Sequence, residues 1–256
     1  MDNGRDLKTV IRCIAGYVFT AALLVALTLL SARADGALFK AALPFRPAET
    51  ATEILFIVFA YNYVSKHSKR ADRKKLIRYI PVAVVPLIIA LIAFFYLPDR
   101  LPSANENIAS WLYIVLMPVS EDLVLCALGC TLLMHKAEMK SKGVVIMLFC
   151  MAAHEAILSG ESAGITVLSV IAALMIGYFE IYLHLSTGSA VFCATFHCLL
   201  HICVRAMRVY SSQSVPIIGE FLSVILGIIL LSVMLMLGFY MREKLKSAEI
   251  YMDEYN

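Results

Sequence analysis

The sequence predicts an all-α fold, a polytopic membrane protein built as a bundle of about eight transmembrane helices. Three observations lead there. The 256 residues are 61% hydrophobic and only 16% charged. The mean hydropathy is +0.82, far above the range of water-soluble domains. The apolar residues fall in long runs separated by short polar connections, as expected where ~20 apolar residues cross one hydrocarbon layer.

In order, the spans are expected near residues 10–30, 50–65, 79–97, 108–134, 143–159, 163–184, 188–209 and 215–240. The first run continues well past Arg12 without a convincing cleavage site, which makes it an uncleaved helix and not a signal peptide. The second and fifth are short, as a helix buried inside a bundle can be. Breaks fall at Pro44 and Pro47, at LPDRLPSANEN from Leu97, at SGESAG from Ser159 and at the STGS turn from Ser186. Pro118, three residues before Glu121, predicts a kink or break exposing polar backbone beside that carboxylate. The end of the chain, EKLKSAEIYMDEYN, is expected as a solvated tail.

Orientation follows from the Lys and Arg residues. With the N-terminus inside, sixteen of the 22 fall on the cytoplasmic side, leaving Arg33, Lys40, Arg46, Arg100, Arg205 and Arg208 outside. Both termini are then cytoplasmic, in what is expected to be a bacterial cell membrane. The run KHSKRADRKKLIR from Lys66 suits anionic headgroups, so membrane lipids are expected partners. A net charge of +3 with this distribution excludes a nucleic-acid partner. The seven cysteines lie mostly within spans and show no Cys-x-x-Cys spacing, so they are expected to pack as small apolar residues. No internal repeat is evident. The chain divides into residues 1–107, with three helices and the basic loop, residues 108–209, with the helices carrying the polar groups, and residues 210–256, with the last helix and tail.

Ionisable groups in the middle of spans carry the functional signal, because each costs roughly 2.5–3.5 kcal/mol at a helix centre. Glu121 lies at the midpoint of the fourth span and His154 near that of the fifth. His197 and His201, four apart, share one face of the seventh. One carboxylate and three imidazoles thus reach a similar depth. A carboxylate paired with an imidazole in a poorly hydrated cavity can deprotonate water. Further imidazoles can donate to a developing oxyanion. Peptide hydrolysis needs no more than that. A zinc site from the same four residues is chemically allowed, although His154-Glu155 does not open a His-Glu-x-x-His motif, since Leu158 holds the position of the second His. Glu180 and His184, also four apart, are expected as an interfacial hydrogen-bonded pair.

In order and spacing, SEDLVLC from Ser120, FCMAAH from Phe149 and HCLLH from His197 resemble the motifs of the CAAX protease and bacteriocin-processing (CPBP, or ABI) family of intramembrane glutamate proteases. That family carries Glu-Glu-x-x-x-Arg, then Phe-x-x-x-His, then His-x-x-x-Asn or Asp, within about eight helices. GYFEIYLHLSTGS from Gly177 is similar to the family's lead into its third motif. The likeness covers residues 108 to about 205, with separations of 33 and 43 residues between the key positions. It implies that Glu121 and His154 activate water, that His197 and His201 form the oxyanion site, that Asp122 supports them, and that neither cofactor nor metal is required. The implied substrate is a membrane-associated or hydrophobic peptide. The departures are Asp122 for the second Glu, Cys126 for the Arg, His201 for Asn or Asp, and Phe149 five residues before His154 instead of four.

The leading expectation is therefore an intramembrane endopeptidase. The first alternative is a weakened relative that acts by binding, as an immunity or regulatory membrane protein, which the missing Arg favours. A proton-relay transporter ranks lower without an inverted repeat, as does the PrsW type of protease, whose Lys would be Leu125.

Overall fold

A computed structural model describes residues 7–38, 47–67, 73–95, 108–158, 163–211 and 217–253. The basic residues 68–72, the Leu97–Asn107 connection, Pro44, residues 159–162 and the end of the tail lie outside the described residues, so expectations resting on them stand as sequence readings. The described chain is helical apart from the short connections at 137–139 and 188–189, with eight helices: α1 Leu7–Leu38, α2 Pro47–His67, α3 Arg73–Phe95, α4 Ile108–Glu121 with its continuation to Lys136, α5 Lys140–Leu158, α6 Ala163–Thr187, α7 Ala190–Ser211 and α8 Ile217–Asp253. In hydrocarbon a backbone must satisfy its own N–H and C=O groups, and the helix does so within one segment.

Six of these helices contain stretches long and apolar enough to cross a membrane: Leu7–Gly36, Arg73–Ile92, Val115–Lys136, Lys140–Leu158, Thr166–Thr187 and Val224–Ser247. The protein is an all-α polytopic membrane protein. Among the described residues, α7 contributes the apolar stretch Ala190–Cys203. α2 carries Glu49 and Glu53, both buried. The tail continues α8 as helix to Asp253, with Glu243, Lys244, Lys246 and Ser247 exposed.

The fourth helix is the centre of the bundle. Between Val115 and Lys136 its stretch is 78% buried, against 17–33% in the other five. α1, α2, α5, α6 and α7 all pack against it. Large apolar side chains such as Phe19, Leu55, Phe149, Leu168 and Met236 face outward, where lipid is their natural solvent. Inside, Tyr17, Leu24, Leu128, Leu133, Met147 and Phe179 fill the core.

α4 runs through Pro118 without a break. The irregularity comes one turn later. Asp122–Leu128 and Cys130–Lys136 are π-helical, joined at Gly129. A π-helix bonds i to i+5 and tends to occur where function needs displaced side chains. Tertiary contacts support this widened stretch: the buried Tyr17 hydroxyl donates to the Leu125 carbonyl at 2.7 Å. Gly129 lets α1 and α5 approach, because a Cβ there would meet Met147 Cγ and Tyr17 Cε2, each at 2.9 Å.

Two junctions follow from local chemistry. Asp35 of α1 accepts the Ala48 and Glu49 N–H groups at 3.0 Å each, capping α2 behind Pro47. The STGS turn behaves as read: Gly188 takes φ 66°, which favours glycine, and its N–H caps the His184 carbonyl at 2.8 Å. Ser189 then caps α7 by accepting the Phe192 N–H at 3.2 Å.

Candidate functional site

α4 delivers Glu121 on its last α-helical position, immediately before the π turn that begins with Asp122. α5 delivers His154 and α7 delivers His197. His154 Nε2 stands 3.5 Å from Glu121 Oε1, and His197 Nε2 stands 3.7 Å from Glu121 Oε2. One buried carboxylate is thus flanked by two imidazoles, one on each oxygen. Both separations exceed a direct hydrogen bond.

His201 joins through its ring. It stacks on His197 with centroids 4.8 Å apart and planes 27° from parallel, the consequence of four-residue spacing on one helix face. All four expected site residues therefore come together. Asp122 is also beside them, buried with neither carboxylate oxygen hydrogen-bonded among the described residues. Cys126, at the position of the family's Arg, is fully buried and supplies no cation to Asp122. Phe149 faces outward at 73% exposure. The buried residue four before His154 is Cys150, so the five-residue spacing turns the phenyl ring away from the site.

Glu180 is the residue that sequence reasoning misplaced. The expected pair with His184 does not form: His184 Nδ1 has no hydrogen-bond partner among the described residues. Glu180 Oε1 lies 2.5 Å from His197 Nδ1 instead. The turn accounts for this. Glu180 lies eight residues before Gly188 and His197 nine after it. At ~1.5 Å per residue both sit about 12–14 Å from the turn, level with each other on antiparallel helices. Counting outward from the STGS turn was the available signal. Glu53 of α2 was also missed. It is buried, accepts from the Thr28 hydroxyl at 3.5 Å, and is hydrogen-bonded by Ser120, the residue before Glu121.

Two donor sets could hold a cation by geometry. Glu121, His197 and His201 each offer one ligand atom within 4.8 Å of the others, and so do Asp122, Glu180 and His197. The donors are acceptable for zinc.

Fold and site together define a polytopic helical membrane protein with a buried Glu/His cluster at the heart of its bundle. Searches against family models, curated proteins and solved structures return no match.

Proposed function

We propose that the protein is an intramembrane endopeptidase that hydrolyses a peptide bond in a membrane-associated or hydrophobic substrate, without a metal. The observation that carries this reading is the placement of His154 and His197 on opposite oxygens of Glu121, at 3.5 and 3.7 Å, inside the bundle. Glu121, oriented by His154, takes a proton from water as the water oxygen bonds to the carbonyl carbon. The oxyanion so formed needs N–H donors. The imidazoles of α7 stand beside that reaction centre, and the resemblance to the CPBP family assigns them this role. Collapse of the tetrahedral intermediate breaks the C–N bond, the departing nitrogen is protonated, and the second water proton leaves with the carboxylic acid.

The charge asymmetry supports both termini in the cytoplasm. A second reading, a relative that acts by binding as an immunity or regulatory protein, is favoured by one observation: Cys126 leaves Asp122 without the Arg the resemblance calls for.

The test compares peptide products from membranes containing wild type and Glu121→Gln. The amide keeps the shape of the side chain and loses the proton acceptor. Products present in wild type and absent in the variant are expected. Products that survive the substitution refute the hydrolase, and wild-type membranes that release none favour the binding role.

A further inference from the structure

We propose that Glu180 is a positioning residue that commits the Nδ1 proton of His197, making His197 the proton carrier of the site through Nε2. The inference rests on the hydrolase reading and revises it at one residue, moving His197 from the oxyanion to proton transfer.

A neutral imidazole has one N–H and one bare nitrogen, and the partner of the first decides the character of the second. Glu180 Oε1 sits 2.5 Å from Nδ1. An ionised carboxylate only accepts, so it holds the proton on Nδ1. Asp122 brings a second acid close by, with one oxygen within 4.8 Å of a Glu180 oxygen and of Nδ1 or Nε2 of the ring. Nε2 is then the bare nitrogen. It has no hydrogen-bond partner among the described residues and faces Glu121 Oε2 at 3.7 Å. A bare nitrogen cannot donate to an oxyanion. It can receive a proton.

The ring is also held in place. Glu180 secures one edge and His201 covers one face, with planes 27° apart. Glu180 itself is 2% exposed and comes from a different helix, so its carboxylate is anchored by α6 and not by the helix it orients.

The sequence of proton transfers balances. Water loses a proton to Glu121 as its oxygen bonds to the carbonyl carbon. Glu121 passes that proton to His197 Nε2, and the resulting cation is stabilised by the Glu180 carboxylate. As the C–N bond breaks, Nε2 delivers the proton to the departing nitrogen. Glu121 and His197 return to their starting states. His201 remains as an oxyanion donor.

Glu180 stands to His197 as the buried acid stands to the histidine of a Ser-His-Asp triad, where the amide variant keeps the geometry but imposes the wrong tautomer. The experiment therefore reads the tautomer directly, by nitrogen NMR of histidine-labelled full-length protein in lipid nanodiscs, with His197→Gln assigning the signal. Wild type should show the Nδ1–H form of His197. In Glu180→Gln the amide can donate to Nδ1, and the signal should move to the Nε2–H form. Peptide release from membranes should fall about a hundredfold or more in kcat with KM retained, the usual weight of general acid–base catalysis. His197→Gln, which keeps a donor, should lose activity equally. An Nε2–H tautomer in wild type overturns the proposal without any variant having to fold. So does a Glu180→Gln protein that cleaves at the wild-type rate while Glu121→Gln does not cleave. Cleavage that persists in Glu121→Gln instead refutes the hydrolase reading, and the carrier role with it.

Discussion

Substituting Gly129 by Ala should destabilise the protein, and the geometry sets how much. Gly129 joins the two π-helical runs of the central helix. An added methyl would lie 2.9 Å from Met147 Cγ, 2.9 Å from Tyr17 Cε2 and 3.0 Å from Met147 Cε. Both neighbours are fully buried and have little room to yield. Overpacking of this kind costs about 1–3 kcal/mol. Displacing the Tyr17 ring also threatens its 2.7 Å hydrogen bond to the Leu125 carbonyl, and a buried carbonyl left unpaired costs about 1–3 kcal/mol. Against this, replacing glycine by alanine in a helix gains about 1 kcal/mol of propensity. The net is a loss of about 1–5 kcal/mol by those same magnitudes. Gly227 of α8 is the internal control, since nothing lies within 4 Å of its added Cβ. Only the propensity gain applies there. Thermal unfolding of purified protein in one detergent should rank Gly227→Ala above wild type and Gly129→Ala below it. Equal stability of the two variants would refute the argument that the glycine is kept for close approach of α1 and α5.

Peptide release that disappears in Glu121→Gln, and tautomer exchange in Glu180→Gln, are the outcomes expected above. His201→Asn should retain activity, since an amide still donates, whereas His201→Ala should lower it roughly a hundredfold, one oxyanion donor being worth about 2.7–4 kcal/mol. Stoichiometric zinc in purified protein, lost together with activity in His201→Asn, would overturn the metal-free mechanism and leave the site where it is. Tags inserted after Ser68 and at the C-terminus should both report cytoplasm in accessibility labelling, and either one outside would remove at least one of the eight expected spans.

Hydropathy by itself determined the helical membrane architecture, because an apolar run long enough to cross a bilayer has few ways to satisfy its backbone other than a helix. It also singled out four residues that the bundle brings together. Glu121, His154, His197 and His201 stood out because a polar side chain in such a run carries an intrinsic cost, readable one helix at a time. The STGS turn was legible for the same reason, since each of its roles is settled within a few residues. What tertiary structure decided was choice among partners. Glu180 had a local candidate in His184 and a distant one in His197, and spacing along a helix says nothing about the neighbouring helix. The antiparallel packing of α6 and α7 put His197 Nδ1 within 2.5 Å. The π-helical stretch after Glu121 is of the same kind. Its residues show no local signature, and it is supported by a tyrosine 108 positions away and by the close approach of two other helices at Gly129. Burial of Cys126 near an Asp122 that has no hydrogen-bond partner among the described residues likewise belongs to the bundle and not to the motif. Period and hydropathy report what each segment does with its solvent, whereas hydrogen-bond partners between segments depend on distances that exist only once the helices have packed.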